Sequence, residues 1–177
     1  MNANFSHQTE FDEAVLGAIL VDEDARNLAM TRIGRDDFAR EINSIIFEAV
    51  HDLYHKQAPF DRYTVASLLA ERNLLEAVGG RHYLVALAEN ASPWHIEYHV
   101  EQLIEASKLR KLKLLAQETA GMDGGAQEIA DYLLHGIDEI LASKQKREAR
   151  WLGDITEQVM AVIEERAKAP GKPWGLR

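Results

Sequence analysis

The residues able to do chemistry in this 177-residue chain are histidines and carboxylates, since there is no cysteine. His51 and His55 are four apart on one stretch, as are His95 and His99, a spacing that puts two imidazoles on one helix face and can begin a zinc site. Neither pair has an evident third ligand, so the sequence reads them as surface or interface histidines and assigns no metal site. His51-Asp52 has the order used by metal-dependent phosphohydrolases. Those need an upstream His and a downstream Asp on facing helices, and the only upstream His is His7. Asp22-Glu23-Asp24 and Asp36-Asp37 are placed to complement helix N-termini. A phosphate-binding loop needs G-x-x-x-x-G-K-[ST], so that glycine N–H groups cradle phosphate and Lys reaches it. The one Gly-Lys pair, Gly171-Lys172, is followed by Pro173, and position 166 is Arg. No catalytic residue and no cofactor-binding residue is assigned in this chain.

The elements that must position these groups are helical throughout, with neither strand alternation nor clustered β-branched residues. Residues 1–9 read as a disordered tail. Residues 10–91 read as a globular head of short helices. The first is capped by Thr9 and carries Phe11, Val15, Leu16, Ile19 and Leu20 on one face. Asp22 caps the second, which Gly34 ends. The third runs from about Glu41 to Lys56, with Pro59 as its breaker, and Asp61 caps the fourth. Val78-Gly79-Gly80 closes a further turn before a sixth helix bearing Tyr83, Leu84 and Leu87.

Residues 92–150 read as a long helical hairpin. Ser92 is the expected N-cap and Pro93 the first helical residue. The first arm carries Ile96, Val100, Leu103, Ile104, Leu109, Leu112 and Leu115, and the second Ile129, Leu133, Leu134, Ile137, Ile140 and Leu141. Between them Gly121, Gly124 and Gly125 are expected to supply unusual backbone conformations. A turn centred between Asp123 and Gly124 would face Lys144, Lys146 and Arg147 towards Glu97, Glu101 and Glu105. It would also set Lys108, Arg110 and Lys111 near Asp138 and Glu139. A two-helix hairpin cannot cover its own apolar stripe, so Leu109, Leu112, Leu115, Leu133, Leu134 and Ile137 are the candidate self-association residues; the competing assignment is hairpin core. Residues 151–177 read as a short amphipathic helix followed by a Pro/Gly-rich linker. Its stripe of Ile155, Val159, Val162 and Ile163 would dock on a partner surface or fold back on the bundle.

Charge narrows the function classes. The net charge is −9: residues 1–96 hold 15 acids and 8 bases, residues 97–150 hold 10 and 8, and residues 151–177 hold 4 and 4. A chain that grips nucleic acid by itself needs a basic face to neutralise phosphates. The cluster from Lys108 to Lys113 is the one candidate, and it reads instead as a solvated face paired with acids. No leader-like segment and no apolar run long enough to span a bilayer is present, so a soluble, cytoplasmic protein is expected.

The order of these pieces resembles the amino-terminal domain, with linker helix, of DnaB-type bacterial or phage replicative DNA helicases. The matching stretches are Glu13-Ala14-Val15-Leu16-Gly17-Ala18-Ile19-Leu20, Ile46-Phe47-Glu48-Ala49, and Val78-Gly79-Gly80 with Tyr83, Leu84 and Leu87. Ile96-Glu97-Tyr98, Leu109-Arg110-Lys111-Leu112 and the terminal Trp174-Gly175-Leu176-Arg177 continue the match. Departures fall at Ser6 to Asp12, at Asn43-Ser44, where a His-Arg type pair is common, and at Trp94, where small residues are usual.

The resemblance implies an all-α domain of a hexameric ring helicase. Such domains form a collar, a trimer of dimers, that docks primase and the helicase loader, while ATP and Mg2+ bind only in a separate motor domain. DNA would be met only by the full-length ring. A stand-alone helical adaptor or regulator of a helicase is the alternative, and a metal-dependent helical hydrolase the third.

Overall fold

A computed structural model describes residues 3–58, 60–142, 156 and 160, with side chains from Thr9 onward. Among these residues the chain is helical and has no strand. Six helices have the bounds α1 (Ala3–Val21), α2 (Glu23–Arg32), α3 (Glu41–His55), α4 (Arg62–Glu71), α5 (Gly80–Glu89) and α6 (Ile96–Ala120), and α7 covers 126–142. Two 3-10 turns, Arg35–Asp37 and Pro93–His95, punctuate the order.

Helix α1 is the centre of the head and packs against α2, α3, α5 and α6. Val15 to Leu20 are all buried, so this stretch is covered on every side and not along one face. An apolar run without periodicity has that consequence: a helix hydrophobic all round is stable only when enclosed. Gly17 lies in the middle of it. A Cβ there would stand 2.4 Å from the Leu87 carbonyl oxygen, so the glycine lets α1 and α5 approach backbone to backbone. The helix does not start from a Thr9 cap but runs from Ala3, with no proline between Ala3 and Val21 to interrupt it.

The local signals for α2, α4 and α5 hold. Asp22 accepts from the Ala25 N–H at 2.7 Å, and Asp61 accepts from the Tyr63 and Thr64 N–H groups, both at 2.8 Å. Each such cap is worth about 1 kcal/mol. Asn73 adopts φ 59° after α4, and Gly79 and Gly80 adopt φ 94° and 73° before α5. The Gly-Gly pair thereby reverses the chain where residues with a Cβ would be strained. Pro59 lies outside the described residues.

The core of the head joins Leu16, Ile19, Ile46, Phe47, Val50, Val65, Leu69, Val78 and Leu84. Val100, Leu103 and Ile104 from the start of α6 belong to the same cluster. The hairpin is therefore rooted in the head. Each such fully buried side chain contributes about 1.5–3 kcal/mol relative to its exposure.

Candidate assembly surface on the helical hairpin

The 25 residues of α6 give an arm about 37 Å long at 1.5 Å per residue. Its entry differs from expectation. Ser92 makes no side-chain capping bond, because Pro93 to His95 turn as a 3-10 segment and α6 starts from His95. Its exit is also plainer than expected. Gly121 has φ −95°, and no glycine of the connection has positive φ. An ordinary backbone suffices because several residues, 121–125, share the reversal.

The register is set by size. A Cβ on Gly136 would meet the Leu115 methyl carbons at 2.7 and 2.8 Å, so Leu115 nests against the bare backbone of α7. Further out, the Tyr132 hydroxyl lies 3.4 Å from a Glu118 carboxylate oxygen. These contacts put the pivot at about Gly125, later than the symmetry of the charges suggested.

The basic cluster does not face the second arm. Arg110 donates to the carbonyl oxygens of Asp37 and Phe38 at 3.0 and 3.1 Å, and Lys111 reaches Asp37 Oδ1 at 3.2 Å. Lys108 pairs with Glu105 on its own helix at 2.6 Å. The pairing expected with Asp138 and Glu139 is thus replaced by attachment to the head. The physical reason is Asp37, a carboxylate only 2% exposed that also accepts from Ser107 Oγ at 2.8 Å and from the Gly34 N–H at 2.9 Å. A buried carboxylate draws donors and cations more strongly than exposed acids across solvent do. Lys144, Lys146 and Arg147 lie outside the described residues.

Of the six candidate self-association residues, Leu115 is buried within the hairpin. Leu112, Leu133 and Ile137 are half-covered, while Leu109 and Leu134 face solvent. Leu114 and Leu141 are exposed as well, and α7 has no buried residue anywhere along 126–142. The hairpin therefore has an inner seam and an uncovered outer apolar surface. Ile155, Val159, Val162 and Ile163 lie outside the described residues.

The buried polar groups escaped the sequence reading. Asp12 Oδ2 accepts from the Ala39 N–H at 2.9 Å and from Asn43 Nδ2 at 3.2 Å. Burial pushes its carboxyl above the ordinary value. The Tyr83 hydroxyl lies 3.0 Å from Asn43 Oδ1 and 3.2 Å from Glu13 Oε1. Its pKa is raised to about 12, first by burial and then by the Glu13 charge. This network ties α1, α3 and α5 together. One signal was available: Ser107 falls on the stripe of Val100, Leu103 and Ile104, where a polar residue needs a buried partner.

The histidines fall into two arrangements. His51 and His55 bring their Nε2 atoms to 3.0 Å. His95 and His99 are 6.4 Å apart between ring centres, and His99 Nδ1 is buried without a partner. Burial, and then His95, lowers the His99 pKa. Asp52 is held by Arg72, so the His51-Asp52 pair has its carboxylate engaged in an ion pair. Among the described residues no three potential ligands gather, and no helix is long and apolar enough to cross a membrane.

Comparison with known proteins agrees with this architecture. The chain is 32% identical over 173 residues to the replicative DNA helicase DnaC of Bacillus subtilis, and 30% identical over 172 residues to the replicative DNA helicase DnaB of Geobacillus stearothermophilus. Each match covers 94% of this chain but 38% of the relative's length. The crystal structure of the N-terminal domain of DnaB helicase from Mycobacterium tuberculosis matches with a TM-score of 0.67 and 29% identity, covering 73% of this chain and 94% of that one. With residues 4–105 matching the DnaB-like helicase N terminal domain as well, the chain belongs to that family.

Proposed function

We propose that this chain is the assembly domain of a replicative DNA helicase in the cytoplasm. Through the hairpin it self-associates, from a dimer up to a hexameric ring, and the collar so formed docks primase and the helicase loader. ATP and Mg2+ act at a motor domain outside these 177 residues, and DNA is engaged by the complete ring. The observation that supports assembly is the outer surface of the hairpin, where Leu109, Leu114, Leu134 and Leu141 are each more than two-fifths exposed. Four leucines exposed on the two arms of one hairpin give it apolar area that a second copy could cover. The hairpin is also firmly rooted, through Asp37, Ser107, Arg110 and Lys111, so a contact made on it is transmitted to the head.

Sedimentation of the chain over a concentration series tests the proposal. A mass rising to a dimer or higher, lost in the double variant Leu109→Glu, Leu134→Glu with its helicity intact, is the expected result. A strict monomer at high concentration would sink self-association through this surface.

A further inference from the structure

We propose that His51 and His55 form a two-nitrogen chelating site for a divalent transition-metal ion, selective for Cu2+ and Ni2+ over Zn2+. The pair sits on the last turn of α3, one helical turn apart, on the exposed side of the head. Equal spacing does not by itself make a site: His95 and His99 have it too, yet a 3-10 turn separates their rings by 6.4 Å. On α3 the rings are 4.2 Å apart between centres, with their Nε2 atoms converged to 3.0 Å.

That distance selects the metal. Imidazole nitrogens bind such ions at about 2.0–2.1 Å, and two nitrogens 3.0 Å apart then subtend about 95° at the ion. A right-angled bite belongs to tetragonal Cu2+ and Ni2+, whereas Zn2+ prefers the wider tetrahedral angle. Without metal the two Nε2 atoms share one proton in a hydrogen bond; on binding, that proton moves to the Nδ1 of its own ring, and the ion sits to one side of the line between the two nitrogens.

The surroundings favour the required tautomer. Asp52 Oδ1 lies 4.0 Å from His51 Nδ1 while Arg72 holds Oδ2, so the carboxylate oxygen nearer the ring is on the side of Nδ1 and away from Nε2. Phe47 packs 6.3 Å from the His51 ring, and Tyr54 stands edge-on 5.8 Å from His55. These neighbours limit the rotamers available to both imidazoles. With no third ligand gathered among the described residues, the other coordination positions are left to water.

Thermal unfolding of the 177-residue chain with CuCl2, NiCl2 or ZnCl2 tests the site, since an ion that binds the folded state raises Tm. The expected order is Cu2+ above Ni2+ above Zn2+. In His51→Gln or His55→Gln the half-maximal concentration should rise at least tenfold, while His95→Gln should match the parent. Equal responses in all four proteins would overturn the proposal, as would no response in the parent, and Zn2+ exceeding Ni2+ would overturn the selectivity. Electron paramagnetic resonance of the Cu2+-loaded parent gives a readout independent of variant folding. Coupling to two nitrogens that falls to one in either single variant supports the site, and an unchanged pattern overturns it.

Discussion

The head and the distal hairpin use the same residue types to opposite ends. In α1 the residues from Val15 to Leu20 are sealed by four other helices, whereas α7 contributes Leu133, Leu134, Ile137 and Leu141 and buries none of them. The difference lies in the number of neighbours and not in hydrophobicity. A leucine on a helix is core only if enough other elements surround it, and two antiparallel helices supply one neighbour each. The head thus encloses its own core, and the hairpin leaves several of its leucines exposed.

Glycine substitutions should separate the two regions most sharply. Gly17→Val would force a side chain into the Leu87 backbone carbonyl, which cannot swing aside, so a loss of about 3 kcal/mol or more is expected. Gly136→Ala meets only the methyl ends of Leu115, and the gain of about 1 kcal/mol from replacing a helical glycine offsets the crowding. Its net effect should stay within about 1 kcal/mol. Urea midpoints at equal slope would measure both, and similar losses would mean that the hairpin seam is as rigid as the head.

Truncations come next. Leu16→Ala, at a fully buried position, should cost about 3–4 kcal/mol. Leu134→Ala, at 63% exposure, should change monomer stability by no more than about 0.5 kcal/mol while weakening self-association in sedimentation. A large stability loss at Leu134 with no change in mass would reverse the assignment of the two surfaces.

An effect between those of Leu16→Ala and Leu134→Ala is expected where the regions meet. Ser107→Ala removes a donor to the buried Asp37 and should cost about 1–3 kcal/mol. The hairpin root and the head share one core, so thermal curves at 222 nm should shift as a single transition. Two separated transitions would show that the hairpin folds independently of the head.

Legibility in the sequence followed the range of the interactions involved. Caps at Asp22 and Asp61 and the reversal at Gly79-Gly80 depend on residues a few positions away, and the sequence located them. The attachment of Arg110 and Lys111 to the 3-10 turn spans more than 70 positions, and the nearer acids of the second arm were a plausible but wrong alternative. The same holds for Asp12, whose partners on the far side of α2 have no local signature. Gly17 was visible as part of a family-like stretch, but the close approach of α5 that requires it was not. Among the six hairpin candidates, a shared periodicity concealed three levels of exposure, because periodicity reports a face without reporting how many neighbours cover it.

The subtlest difference between head and hairpin root is the sign of a pH dependence. Asp12 in the head has its pKa raised above 3.8 by burial. Between that value and its folded pKa the folded chain holds a proton the unfolded chain has lost, so this contribution to stability falls as pH rises through the window. His99 at the root has its pKa lowered below 6.5, chiefly by burial. Just below 6.5 the unfolded chain holds the extra proton, so its contribution is lost as pH falls towards the folded value. In urea titrations across the acid-to-neutral range, Asp12→Asn should remove one contribution to the lower slope and His99→Gln one of opposite sign to the upper slope, each leaving the other in place. If His99→Gln left the upper slope unchanged, protonation there would be met by solvent, and the partnerless ring nitrogen would not be shielded from water in the folded chain.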